Sequence, residues 1–414
     1  MRTPEKEGKL LLVCGSFPPD QSATSHLLKK LLPHFRTAGL QVDALTFKKN
    51  FCEGWREEAE GGVIYKANCV QFAPKPIKCF QDFFYLAKRK LLSKLRRRKP
   101  GATVPVFRET TVKALLSAMN KMDMEQYDRI LAVCAYFDAA EALMRYQKAH
   151  PLPGRIALYQ VDPLAESRIY RTPENAEALQ EYEKALFSAM DAVFTTPVIY
   201  GEKKALSWDL SQVFPLEFPM ETAVPSASPD GEEIKCVFSG LLYGEIRDAS
   251  ATLRLFSQFK DPRIHLYIVG KGQEELLQEY AKGALQGRLH FLGEKPSEEC
   301  DRILGEANVL VNIGNRVGNQ VPSKLFHYIS FGKPILNVTA VPDCPTLPYL
   351  ARHPLAYSLS EEESQQPATV SALEEWLVEN SQKQESPESI RQIFRECTPE
   401  FIVEEILFHL SDKP

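Results

Sequence analysis

Short apolar runs alternate with amphipathic stretches along most of the chain, the pattern of repeated strand–helix–strand units. Residues 9–14 (KLLLVC) read as a buried strand, 26–35 as a helix stopped by Gly39, and 42–47 as a second strand. Such a βαβ opening predicts a parallel sheet with right-handed crossovers. Further strands are predicted at 63–70, 129–134, 155–159 and 192–195, with helices over 110–123, from Asp138, over 174–189 and from Pro197, and 213–218 closes the series. Residues 219–233 (PMETAVPSASPDGEE) hold almost no large apolar group and read as a linker. A second alternating series starts at once, its strands ending at Gly240, Gly270 and Gly293, with helices over 249–259, 271–285 and 296–307. After an acidic, polar tail, 399–410 (PEFIVEEILFHL) is an amphipathic helix expected to pack back on the first domain. The pattern therefore predicts an α/β chain of two doubly wound domains facing a cleft. Their bounds are 1–218 and 234–396, with a linker at 219–233 and a closing helix in 397–414.

The most informative stretch is 308–338, NVLVNIGNRVGNQVPSKLFHYISFGKPILNV. An apolar strand at 309–313 leads through a Gly/Asn loop to a short amphipathic helix, which Ser323 is expected to cap, Gly332 closes it, and Pro334 precedes another strand. This unit places a loop and a helix start at the carboxyl edge of a parallel sheet, where anions and nucleotides bind. Lys324 stands at that start and adds its charge to the positive end of the helix dipole, so a phosphate or diphosphate is the expected guest.

Composition narrows the function. With 414 residues, 44% of them hydrophobic, the chain can fill two cores. A formal net charge of −4 gives no global field for nucleic acid, and no nucleic-acid partner is expected. The nine cysteines are scattered without a CxxC pair, as in a reduced, cytoplasmic protein. The N-terminal apolar run is too brief for a signal sequence, and no run reaches membrane-spanning length. One local patch departs from this average. Residues 75–99 carry ten Lys or Arg interleaved with Phe80, Phe83, Phe84, Tyr85 and leucines. This is the composition of a helix that lies on an anionic membrane surface or a polyanionic acceptor, or of a solvated helix with one packed side. Asp162, just after the strand at 155–159, is placed to act as a base or simply to cap a turn. The loop 15–25 lacks the GxGxxG spacing of a dinucleotide site.

Two doubly wound halves, the linker and the run NQVPSKLFHYISFGKPIL together resemble the GT-B glycosyltransferases, most closely the retaining enzymes of family four. The resemblance covers most of the chain, and its specific part is the "PSKLF.Y…GKPI" run. It implies a nucleotide-sugar, such as a UDP-sugar, on the second domain, used as a substrate with no cofactor and no metal. Lys324 would hold the donor diphosphate with help from Ser323, Arg247 would be a second phosphate-binding cation, and Gly270, Gly272 and Gly293 would shape the nucleotide wall. Where many relatives carry two acids, this chain has Asn319 and His327, which the resemblance places on the donor sugar and ribose. The histidine expected in the first domain is absent, and Asp162 occupies that neighbourhood as the catalytic candidate. The implied reaction is hexosyl transfer to a carbohydrate or lipid-linked acceptor in polysaccharide or glycolipid synthesis, with 75–99 meeting the inner membrane surface. A nucleotide-sugar 2-epimerase and an inactive nucleotide-sugar-binding protein are the alternatives.

Overall fold

The computed structural model describes residues 8–20, 22–70, 78, 80–95, 105–134, 137–167, 170–221, 224, 231–316 and 318–411. Parts of the basic segment 75–99, most of the linker 219–233 and the last three residues of 397–414 lie outside them. The chain divides into two compact units, Met1–Phe218 with Pro399–Pro414, and Pro219–Thr398.

The first unit is built on an eight-stranded sheet. Its strands are β1 (Lys9–Cys14), β2 (Gln41–Lys48), β3 (Arg56–Ala59), β4 (Gly62–Val70), β5 (Arg129–Cys134), β6 (Arg155–Gln160), β7 (Ala192–Thr195) and β8 (Val213–Pro215). They lie in the order β3-β4-β2-β1-β5-β6-β7-β8. All pairs are parallel except β3 with β4, a hairpin the apolar pattern does not predict because β3 reads REEA and is an exposed edge. The predicted crossovers are present as α1 (Ala23–Thr37), α2 (Phe80–Leu95), α3 (Glu109–Met119), α4 (Asp138–Ala149), α5 (Ala176–Ser188) and α6 (Pro197–Ala205). The central strands are apolar on both faces because helices cover both, so Leu10, Leu11, Leu12 and Val13 are all fully buried.

The second unit has a six-stranded, wholly parallel sheet in the order β11-β10-β9-β12-β13-β14. Its elements are β9 (Ile234–Leu241), α7 (Ser250–Gln258), β10 (Ile264–Lys271), α8 (Glu274–Lys282), β11 (Leu289–Gly293), α9 (Ser297–Gly305), β12 (Val309–Ile313), α10 (Ser323–Ser330), β13 (Ile335–Thr339), α11 (Leu347–Leu350), β14 (Ala356–Ser360), α12 (Pro367–Asn380) and α13 (Pro387–Ile393). The polar tail of the sequence, 361–389, thus supplies α12 and the start of α13, and the sixth strand β14 lies just before it. Finally α14 (Pro399–His409) returns to the first unit, where Ile402, Val403 and Ile406 join the core with Leu28 and Leu31 of α1. No helix among the described residues is long and apolar enough to cross a membrane.

Candidate functional site

The stretch singled out in the sequence folds as predicted into β12, a loop, α10 and β13, with one correction. Pro322 occupies the position before α10 in an extended conformation and Ser323 is the first helical residue, exposed, so Ser323 does not cap the helix and no side chain does. Proline enforces that entry, since its ring fixes φ and its side chain has no group that could cap the helix. Lys324 is the second helical residue and half-buried. One turn on, the buried Tyr328 hydroxyl accepts from the Ser239 N–H at 2.7 Å and donates to the Ser239 carbonyl, tying α10 to the end of β9. Gly332 closes the helix at φ 62°, the left-handed conformation glycine adopts freely.

Arg247 lies in the loop that follows β9. Its backbone N–H and that of Ile246 both donate to the Tyr243 carbonyl, folding the loop into a turn. Its guanidinium donates to Asn315 Oδ1 at 2.8 Å, just beyond β12, while its Nε is buried without a hydrogen-bond partner. Burial holds its pKa below the ordinary value, against the opposing influence of the Tyr328 and Tyr243 hydroxyls. Among the described residues no carboxylate pairs with it. Lys324 is close enough to favour the Cys300 thiolate, although burial outweighs that and raises the thiol, and Cys300 also meets the Ser239 side chain. Ser239, Cys300, Tyr328, Lys324 and Arg247 therefore gather at the carboxyl end of β9. Two cations and an uncapped helix start at this edge are the groups that the expected diphosphate would need.

A network that sequence reasoning missed holds this edge. Asp248 accepts from the Ser250 N–H and hydroxyl and from Gln273 Nε2, and pairs with Arg316 at 3.0 Å, which also reaches Glu361 at 3.2 Å. Gln273 sits at φ 55°, left-handed for a non-glycine, and its side chain also accepts from the Ala249 N–H. These hydrogen bonds hold the carboxylate of Asp248 in its charged form, below the ordinary range despite partial burial. The partners come from three separate loops, so no local pattern announces them.

The other predicted contacts fall differently. A Cβ at Gly270, where φ is 142°, would lie 1.8 Å from the Gly240 carbonyl oxygen, and one at Gly272 2.1 Å from that of Leu242. Both glycines are demanded by the neighbouring strand β9 and its exit, so strand packing accounts for them without a ligand. Gly293 turns at φ 69° with open space around it. Asn319 is half-buried on the loop before α10. His327 is buried, with Nε2 3.1 Å from Asp301 Oδ1 of α9 and its ring against Phe331. Burial keeps its pKa below the ordinary value, so it is a neutral side chain packed between α9 and α10.

In the first unit Asp162 is half-buried on the loop leaving β6, and its carbonyl accepts from Gln160 Nε2. Gln160 also donates to Glu183 at 2.8 Å. Lys203, fully enclosed, pairs with Glu183 and Glu166 and lies 4.6 Å from the Trp208 ring centroid. Burial raises the Glu183 pKa, and Lys203 opposes that. This ion cluster fixes both ends of the loop that carries Asp162. Among the described residues no three His, Cys, Asp or Glu side chains converge as metal ligands would.

No protein-family model matches the chain, and no curated protein sequence does. Solved structures do. The chain is similar to sucrose-phosphate synthase from Thermosynechococcus elongatus at TM-score 0.64 and 15% identity, over 98% of this chain and 100% of that one. It is similar to the lipopolysaccharide outer core galactosyltransferase WaaB at TM-score 0.57 and 10% identity, over 97% and 98%. An E. coli trehalose-6-phosphate structure bound with UDP-2-fluoro glucose matches at TM-score 0.59 and 9% identity, over 98% and 100%. At such identities the likeness is one of fold. It extends over both units and agrees with the GT-B architecture expected from the sequence.

Proposed function

We propose that this protein is a glycosyltransferase that moves a hexosyl group from a nucleotide-sugar, with UDP as the first nucleotide to test, to a carbohydrate or lipid-linked acceptor. The carrying observation is that Arg247, half-buried and with no acidic partner among the described residues, and the uncapped α10 start that bears Lys324 both belong to the carboxyl edge of the second sheet. A diphosphate supplies the missing acceptors. In transfer, the bond between the anomeric carbon and the diphosphate oxygen breaks and the electron pair leaves with the diphosphate, whose added charge Lys324 and Arg247 neutralise. The acceptor hydroxyl forms the new glycosidic bond and gives up its proton, for which Asp162 is the proposed base. The UDP-2-fluoro glucose named in one similar structure and the UDP named in another support this class of substrate. The two-cation site supports a departing group held by side chains, without a metal step.

Isothermal titration of UDP and GDP tests the site. Lys324→Ala is expected to weaken the preferred nucleotide by about tenfold or more, a loss on the scale of one charge-assisted contact. Unchanged affinity would remove the diphosphate assignment. Asp162→Asn is expected to lower turnover by roughly 10²-fold with nucleotide affinity intact, and equal loss of both would mean that Asp162 only shapes the loop. Tight nucleotide binding with neither donor hydrolysis nor transfer across an acceptor panel would leave the binding-protein reading.

A further inference from the structure

We propose that Arg316 is a positioning residue for the anion site of the second unit: it neutralises the two acids at that edge, Asp248 and Glu361, and so keeps the charge of Arg247 for the ligand. This role rests on the diphosphate reading proposed above, and it states what lets the edge accept an anion at all.

The geometry is a clamp in which two consecutive residues hold three. Asn315 and Arg316 follow β12, and Ile246, Arg247 and Asp248 end the loop that follows β9. The Arg316 N–H donates to the Ile246 carbonyl at 2.7 Å. The Arg247 guanidinium donates to Asn315 Oδ1 at 2.8 Å, and the Arg316 guanidinium donates to Asp248 Oδ2 at 3.0 Å. Arg247 is thus held between two bonded neighbours, and the carboxylate next to it in sequence is engaged by a different cation. The other oxygen of Asp248 is occupied too, by the Ser250 N–H and hydroxyl and by Gln273 Nε2.

Charge gives the clamp its purpose. An acid beside Arg247 competes with a diphosphate for that cation and repels the diphosphate directly. In the clamp the acid already has its partner. Arg316 also reaches Glu361, just after β14, at 3.2 Å, so one cation faces two carboxylates. The side chains of Asp248 and Glu361 are only 19% and 28% exposed, so solvent screens them in part and the guanidinium must do the rest. Without Arg316, Asp248 stands charged and unopposed one residue from Arg247. A merely structural Arg316 makes the opposite prediction about rescue. Each further bond lost from the network would then worsen binding, whereas a charge role means that removing the Asp248 charge repairs the loss of Arg316.

Isothermal titration of UDP, or of GDP where that is preferred, into variants of the full chain tests this. Arg316→Gln keeps the backbone bond to Ile246 and is expected to weaken binding about fivefold at low salt. That deficit should narrow toward parity with the wild type near 1 M salt, where the screening length falls to about 3 Å. A single guanidinium nitrogen makes both ion pairs. Arg316→Lys, which keeps the charge, is therefore expected to bind within about twofold of the wild type. Asp248→Asn retains an oxygen for Ser250 and Gln273 and is expected to bind at least as tightly as the wild type. The Arg316→Gln/Asp248→Asn variant is expected to recover most of the affinity lost in Arg316→Gln. Three results would overturn the proposal: Arg316→Gln binding as the wild type does while Lys324→Ala is weakened, a double variant no better than Arg316→Gln, or loss of binding in Asp248→Asn. The last of these needs no Arg316 variant to fold. A wild type that takes neither UDP nor GDP would remove the diphosphate reading itself, and this role with it.

Discussion

At the scale of one residue, the proposed diphosphate assignment turns on Arg247. A buried donor with no acceptor costs about 1–3 kcal/mol, and a fold keeps such a cost where something else is gained. Its Nε is the orphan, and Asn315 satisfies only one of the other nitrogens. His353 presents the contrasting case of a buried titratable group with a purely structural setting. It is buried between α11 and β14, accepts from the Leu355 N–H at 3.2 Å, and burial pushes its pKa down to about 4. Between pH 6.5 and 4 the unfolded chain takes up a proton on this histidine that the folded one refuses, so stability falls as pH is lowered through that window and is unaffected above it. The difference corresponds to about 3 kcal/mol as an upper figure. His353→Gln should therefore flatten the stability-against-pH curve between pH 6.5 and 4 when unfolding is followed in urea. An acid limb of unchanged steepness would show that the ring is reached by solvent.

At the scale of elements, the β6 exit is secured by buried charge as well as by packing. Lys203 on α6 joins Glu183 on α5 to Glu166 on the loop. Lys203→Met is expected to destabilise by about 3–5 kcal/mol because it leaves an acid buried without its cation. Adding Glu183→Gln should return part of that, a coupling visible in a double-mutant cycle. Additive effects would mean that the pair does not interact. The same cluster explains what the sequence could and could not disclose. Strands such as β1, β5 and β12 are legible because they are covered on both faces and so are uniformly apolar. The edge strand β3 is invisible because REEA meets solvent, and β14 because AYSLS carries polar side chains among its apolar ones. Lys324 is legible because strand, loop and helix follow one another locally. The burial of Arg247, the Asp248–Arg316–Glu361 network and the Lys203 cluster are not, since each joins residues far apart in sequence and charged residues read singly as surface. Ser323 is misread because serine caps helices so often that Pro322, one position earlier, is passed over.

The whole molecule is threaded so that the chain leaves the first unit at Phe218 and comes back to it at Pro399. The last element is therefore part of the core of the first unit, although the entire second unit is made before it. Ile402, Val403, Ile406 and Leu410 are essentially enclosed against α1 and the sheet. Each such side chain contributes about 1.5–3 kcal/mol through burial, so α14 supplies roughly 6–12 kcal/mol as an upper figure. That is comparable to the entire stability of an ordinary domain, about 5–15 kcal/mol. Truncation after Thr398 should then unfold the first unit and leave the second, whose core draws on no residue of α14. Calorimetry of the truncated chain is expected to lose one transition, and hydrogen exchange to report β1, β2 and β5 as unprotected with β9, β10 and β12 still protected. UDP should still shift the remaining transition upward, because Lys324 and Arg247 both lie in the unit that stays folded. Retention of both transitions would show that α14 rests on a first unit that folds without it. Loss of both would show that the second unit depends on the first, despite having a core of its own.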